Sequence, residues 1–147
     1  MNTFIFAATK GKKEKTLLYK TLKGEATWIQ EDNTNALAKC YNKAIDFAIE
    51  EDVDNLILVH DDVILENYST ERLDNLMQKF DVVGVAGTTQ VKLQSPALWH
   101  IMGGGFGSGN LHGAVAHGDG KTKHMTAFGP YPKRVVLLDG VFLAINR

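Results

Sequence analysis

The chain has 147 residues, 44% hydrophobic and 22% charged, with a formal net charge of -1, and this makeup predicts one soluble globular domain over residues 1–147. The near-neutral balance gives no basis for a nucleic-acid or anionic-membrane partner, since either favours a basic excess. Cys40, the single cysteine, excludes an internal disulfide framework and fits a cytoplasmic location; no apolar run reaches membrane-spanning length, and Phe4 to Ala8 is too short for a signal sequence.

Thr3 to Thr9, rich in β-branched and aromatic residues, predicts a first strand. Lys10-Gly11-Lys12 then turns the chain, and Leu17, Leu18 and Leu22 predict a short helix ending near Gly24. Lys10, Lys12, Lys13 and Lys15 form a basic cluster interrupted by Glu14, expected as a solvated face lying close to where a phosphate could sit. Ala26 to Ile29 predicts a second strand, followed by a polar loop from Gln30 to Asn35. Ala36, Leu37, Cys40, Tyr41, Ala44, Ile45, Ala48 and Ile49 then fall on one face at helical spacing, with Asn33, Thr34 or Asn35 as N-cap. Cys40 belongs to that apolar stripe, which marks it as a structural thiol rather than a nucleophile. Lys39, Asn42 and Lys43 lie on the opposite side.

Leu56 to Val59 is a continuous apolar run, the pattern of a strand buried on both faces of a parallel sheet. Ser69 as cap, with Leu73, Leu76, Met77 and Phe80 at offsets of three and four, predicts another amphipathic helix. Val82 to Gly87 reads as a further buried strand. This strand–helix rhythm predicts an α/β fold with a mainly parallel sheet, flanked by helices and joined by right-handed crossovers. From Thr88 to Pro132 periodicity fades, and glycines concentrate at Gly103, Gly104, Gly105, Gly107 and Gly109. A long Gly-rich functional loop is expected there, with a short strand at His112 to His117. Lys133 to Leu138, a turn at Asp139-Gly140 and Val141 to Ile145 close the chain. With no helix after it, the last strand is expected to be an open edge, buried by self-association into a homo-oligomer.

Two phosphate-binding signatures fail. Gly105-Phe-Gly107-Ser-Gly109 lacks the third glycine of the dinucleotide fingerprint, and Gly120-Lys121-Thr122 has Val115 where a P-loop needs its first glycine. There is no serine-elbow motif and no paired-cysteine zinc site.

The strongest chemical signal is His60-Asp61-Asp62, directly after the apolar strand at Leu56 to Val59. Open α/β sheets bind ligands at the carboxyl ends of their strands. Adjacent carboxylates repel unless a cation or hydrogen-bond donors offset the repulsion. Mg²⁺ or Mn²⁺ supplies that offset and completes its shell with substrate phosphate and water. The alternative is an Asp pair that caps the next segment.

Four stretches, in order, resemble the glycosyltransferases of the GT-A (Rossmann-like) fold, in particular the family-two-like group of small bacterial and phage enzymes. They are Leu37-Ala-Lys-Cys-Tyr-Asn42-Lys-Ala-Ile, Val59-His-Asp-Asp-Val63 as a variant of the Asp-any-Asp signature, Gly84-Val-Ala-Gly87, and Leu138-Asp-Gly-Val-Phe-Leu-Ala-Ile-Asn-Arg147; Trp99 and His112-Gly113 echo the loop between the last two. The resemblance implies a metal-dependent transferase that moves a hexose from a nucleotide-sugar, with a UDP-sugar the expected donor, to a sugar, lipid or protein acceptor. It implies that Asp62 ligates Mn²⁺ or Mg²⁺ on the donor diphosphate, that Asp61 reaches the ribose or sugar, and that Thr9, Asp32 and Lys39 line the nucleotide pocket. His112 could complete the metal shell through a neutral imidazole, ahead of His117 and His124; its other reading is a loop histidine bonded to backbone. Trp99 stands between two uses, stacking on a sugar face and capping the core. Family members continue past the stretch matching Ala144 to Arg147 into an acidic motif that supplies the catalytic base, so the chain reads as C-terminally shortened. Asp139 is the remaining strand-end acid for that role; its other reading is a turn residue favoured in Asp-Gly. A nucleotide-sugar-binding module that has lost transfer, or hydrolyses its donor slowly, is the alternative function. A nucleotidyltransferase, which would need further metal-bridging acids, is the third.

Overall fold

The computed structural model describes residues 2–22, 26–91, 98–118 and 121–147. The chain forms two compact units: residues 1–83 with 140–147, and residues 84–139.

The first unit is built on a five-stranded sheet of order β2-β1-β3-β9-β4. Strands β1 (Thr3–Ala8), β2 (Ala26–Gln30) and β3 (Asn55–Val59) run parallel, with β1 between its two neighbours. The side-chain period of two sorts their apolar residues onto opposite faces. Ile5, Ala7, Ile57 and Val59 pack with Leu18 of α1 (Leu17–Thr21) and with Leu73 and Met77 of α3 (Thr70–Met77). Phe6, Leu56 and Leu58 pack with Cys40, Tyr41, Ala44 and Ala48 of α2 (Leu37–Glu50). Every residue of β3 is buried, including Asn55 at its start, whose amide donates to Asp74 Oδ1 at 2.8 Å. A short 3-10 turn, Lys13–Lys15, precedes α1. Helix α2 starts without a side-chain cap, at Ala36. Asn33, expected as a cap, instead accepts from Asn35 N at 3.0 Å and from the Cys40 thiol at 3.2 Å. The helix end expected near Gly24 and the rejected P-loop position Gly120 lie outside the described residues.

Strand β9 (Phe142–Asn146) corrects one expectation. It is no open edge: it pairs antiparallel with β3 on one side and neighbours β4 (Val82–Gly84) on the other. Phe142 and Ala144 join one core, and Leu143 and Ile145 the other. A strand hydrogen-bonded on both sides and packed on both faces has no edge for a second copy to cover, so the argument for self-association loses its premise.

The second unit is a four-stranded sheet of order β7-β6-β5-β8, comprising β5 (Ala86–Thr88), β6 (Leu111–Gly118), β7 (Lys123–Gly129) and β8 (Leu137–Leu138). Its β5–β6, β5–β8 and β6–β7 pairings are all antiparallel. Its core is small: Ala86, Trp99 and Leu111, with Val115, Phe128 and Leu137 packed against them. Trp99 sits on the short helix α4 (Trp99–Met102).

The expected fold, a GT-A (Rossmann-like) mainly parallel sheet flanked by helices with a long Gly-rich loop, is therefore corrected. The protein is mixed α/β with two sheets, one mixed and one antiparallel among the described strands. Val82 to Gly87 is not one strand, because the chain leaves the first sheet at Gly84 and enters the second at Ala86 through exposed Val85. The stretch after Thr88 is no structureless loop, since α4 and the β6–β7 hairpin occupy much of it. Gly113 marks a β-bulge in that hairpin. It holds φ +99°, and a Cβ there would lie 2.1 Å from Val85 O, so only glycine fits.

Candidate functional site

The register Thr3↔Asn55 to Phe6↔Leu58 sets the carboxyl ends of β1 and β3 side by side, the position at which open α/β sheets hold ligands. Two segments emerge there. The one after β1 contributes Thr9, Gly11, Lys12, Lys15, Thr16 and Leu17, and the one after β3 contributes Asp61 and Asp62; together they line a crevice of about 300 Å³. That volume is at the lower end for ligand sites and suits a diphosphate with its ion better than an entire nucleotide.

Backbone hydrogen bonds hold both segments. His60 N donates to Val141 O at 3.1 Å, and Leu18 N donates to Asp61 O at 3.2 Å, tying the carboxylate turn to α1. Leu18 is fully buried, so this anchor is set in the core. Thr9 N donates to Gln30 O at 2.9 Å, while Asn33 N donates to Thr9 O at 2.9 Å and Asp32 N to Gly11 O at 3.1 Å. The segment after β1 is thus laced to the one after β2. Thr16 Oγ1 donates to Lys13 O at 2.7 Å and accepts from Tyr19 N at 3.2 Å, capping α1.

Thr9 is buried, Asp61 is half-buried and Asp62 is exposed. Two lysines, Lys12 and Lys15, line the crevice with these two carboxylates. Lys12 is committed: its Nζ lies 2.5 Å from Asp32 Oδ2, and the hydrogen bond to Asp32 holds its pKa above the usual 10.5. Lys15 makes no ion pair among the described residues, which leaves its ammonium for an anionic ligand. Among the described residues no three His, Cys, Asp or Glu side chains converge as a ready-made metal cage. The donor set fits an ion that arrives with its substrate, because Mg²⁺ typically uses one or two carboxylates and takes its other ligands from phosphate and water. Asp61 and Asp62 would hold such an ion.

Of the residues expected from the sequence, the crevice brings together Thr9, Asp61 and Asp62. Asp32 joins indirectly, through Lys12. Lys39 is exposed on the first turn of α2 and does not line the crevice. Lys12, Lys15 and Thr16 carry a larger part of the lining than the sequence gave reason to expect. Their signal was present in the basic cluster directly after a parallel strand, but charge runs are more often only solvated.

His112 and Asp139 belong to the second unit. The His112 imidazole is 93% buried, with Nδ1 2.8 Å from Pro130 O. That carbonyl can only accept, so Nδ1 carries a proton, and in the neutral ring Nε2 then presents its lone pair. Nε2 is buried with no hydrogen-bond partner among the described residues. A backbone carbonyl on one ring nitrogen and a bare lone pair on the other is the arrangement of a metal-ligating histidine. Asp139 accepts a 2.6 Å hydrogen bond from Trp99 Nε1, and its backbone N–H donates to Ala86 O. Trp99 is 5% exposed and packs on Phe128 at 5.1 Å between ring centroids. Of its two expected uses, the indole therefore takes the core-capping one.

No family model matches the chain, and no curated protein matches it. Among solved structures, a crystal structure of A197 from STIV aligns with 100% of this chain and 65% of its own, with a TM-score of 0.57 and 16% identity. That likeness is one of fold, and the chain spans about 65% of the length of that protein. These findings correct the resemblance drawn from sequence. Membership of the family-two-like GT-A transferases finds no support in a family model, and the mixed and antiparallel sheets depart from that fold. Among the described residues no helix is long and apolar enough to cross a membrane.

Proposed function

We propose that the protein is a metal-dependent glycosyltransferase that grips the diphosphate of a nucleotide-sugar, with a UDP-sugar as donor, in the crevice at the carboxyl ends of β1 and β3. One observation carries this reading. A buried parallel strand pair delivers two carboxylates, an uncommitted lysine and two threonines into one crevice of about 300 Å³. Asp62 holds Mn²⁺ or Mg²⁺ on the diphosphate, Asp61 supports the ion or the adjoining sugar, and Lys15 neutralises a phosphate oxygen. When bound, the ion would act as a Lewis acid on the departing nucleoside diphosphate, whose negative charge grows as the sugar leaves. The lone carboxylate pair favours this grip over nucleotidyl transfer with two bridging ions, which needs further acids. Thr9 and Asp32 flank the nucleoside.

The test is calorimetric titration of UDP and of GDP, each with and without Mn²⁺, into the wild type and Asp62→Ala. The expected result is Mn²⁺-dependent binding of UDP that the substitution abolishes; the exposure of Asp62 makes loss of folding a poor alternative explanation. If neither nucleotide binds under any condition, the reading fails and His60-Asp61-Asp62 is a structural turn. If UDP binds but UDP-glucose releases no UDP, with or without added sugars, the binding-module reading replaces transfer.

A further inference from the structure

We propose that His117 and His124 form a second metal site, a two-histidine chelate for a borderline transition-metal ion such as Zn²⁺ or Ni²⁺, on the β6–β7 hairpin. The antiparallel register pairs His117 directly with His124. Directly opposed residues send their side chains to the same face, with Cβ atoms about 4.5–5.5 Å apart. Two imidazoles on such a base can converge on one ion at metal–nitrogen distances of about 2.0–2.1 Å. The pairing is continuous from Ala114↔Ala127 to Gly118↔Lys123, and the bulge at Gly113/Ala114 lies outside it.

Both histidines are exposed, and neither imidazole has a hydrogen-bond, ion-pair or ring partner among the described residues. The contrast with His112 on the same strand is informative, since that ring is buried and fixed by Pro130. At His117 and His124 the nitrogens are open to solvent and the rings can turn to a common point. Lys123 follows the strand alternation onto the other face, so its charge does not sit between the two rings. Imidazole favours Zn²⁺, Ni²⁺ and Cu²⁺, whereas Mg²⁺ and Mn²⁺ favour oxygen; the ligand set therefore separates this site from the crevice carboxylates. A bound ion would clip β6 to β7 and keep coordination positions open to water or a further ligand. The inference rests on no part of the transferase reading.

The test titrates ZnCl₂, and separately NiCl₂, into the full chain by calorimetry, with His117→Ala, His124→Ala, the double variant, and Asp62→Ala and His112→Ala as controls. The expected result is a wild-type site weakened at least about tenfold by either hairpin substitution, with the double variant losing little more than each single one, because the two ligands act as a unit. Asp62→Ala and His112→Ala keep the site. Zn²⁺ should also raise the melting temperature of the wild type by binding the folded hairpin, and this rise should vanish in the double variant. The His117, His124 and Asp62 substitutions are on exposed side chains, so circular dichroism should show these three single variants folded, and His112→Ala serves as a control only where its spectrum matches the wild type. Absence of Zn²⁺ and Ni²⁺ binding in the wild type, binding that survives the double substitution, or equal loss in Asp62→Ala would each overturn the proposal.

Discussion

The two units reach stability by different routes. The first has a strand buried along its whole length and helices packed on both faces of the sheet. The second has three core side chains, Ala86, Trp99 and Leu111, in a sheet whose outer strand β7 is largely exposed. Ile101, Phe106, Met125, Tyr131 and Val136 are each more than half exposed there. Carboxylates in a turn just past a rigid strand keep their geometry, which is what the proposed ion and diphosphate site requires. A thinly covered antiparallel sheet opens locally at lower cost, and its fixed points are individual side chains such as His112 and Trp99.

The sharpest break of this contrast is Ile57→Ala. Ile57 has no exposed surface and lies at the centre of β3, so truncation should cost about 2–5 kcal/mol through lost burial and the cavity left behind. Met125→Ala in the second unit, where Met125 is 57% exposed, should cost under about 0.5 kcal/mol. Urea denaturation of both variants checks the pair, and equal losses would contradict the contrast. Hydrogen exchange gives the same comparison without mutation: β3 amides should exchange only on global opening, and β7 amides faster.

Next in size is Gly113→Ala. Positive φ disfavours any side chain, and the new Cβ would meet Val85 O at 2.1 Å. The expected loss is about 1–3 kcal/mol, with faster exchange across β5 and β6. Gly105→Ala, where nothing lies within 4 Å of the added carbon, isolates the strain of positive φ alone and should cost less.

Apart from the short strand at His112 to His117, which forms within β6, the parts legible in the sequence belong to the first unit, and the reason is physical. The run Leu56 to Val59 and the stripe on α2 are local periodicities that report burial directly, and both elements form where they were expected. Strand β9 carries a clear apolar pattern too, but its partners are β3 and β4, a long-range choice invisible to local pattern; by sequence it reads as an edge, and it lies inside the sheet. Val82 to Gly87 conceals a change of sheet because a single exposed residue, Val85, interrupts it. The β6–β7 hairpin is rich in glycine, alanine and histidine, residues with weak strand preference, so its pairing had no local signal. At the site, the acids were legible because adjacent carboxylates are costly without a purpose. Lys15 was not, because one exposed lysine resembles any other until the loop that carries it is placed.

An effect of similar size tests the fixed side chains of the second unit. Trp99→Phe keeps an aromatic ring against Phe128 but removes the donor to Asp139, and should cost about 1.5–3 kcal/mol as a hydrogen bond to a charged group. Asp139→Asn keeps an acceptor for the indole and should cost less. The two variants also separate base from anchor. If Asp139 removes the acceptor proton, Asp139→Asn should lower turnover by about 10²–10⁴-fold while UDP binding and melting stay near wild type. An anchor alone would leave turnover intact in Asp139→Asn and show its loss only in the melting of Trp99→Phe.

The smallest expected effect lies at the rim of the crevice. Lys12 has its pKa raised by the hydrogen bond to Asp32, so the folded state holds the proton more tightly than the unfolded chain. Such a group stabilises the fold fully below its unfolded value near 10.5, and the contribution disappears as pH rises through the higher folded value. Since both side chains are more than half exposed, the pair is screened by solvent and the effect on melting is small. Lys12→Met should therefore melt slightly below wild type from pH 6 to pH 9, with the gap narrowing at 0.5 M salt and closing as pH rises through the raised folded-state value. The same substitution should weaken UDP binding less than Lys15→Met, because Asp32 already neutralises Lys12. The reverse order would mean that the nucleotide displaces Asp32 on binding, and that the ion pair guards the crevice rather than standing beside it.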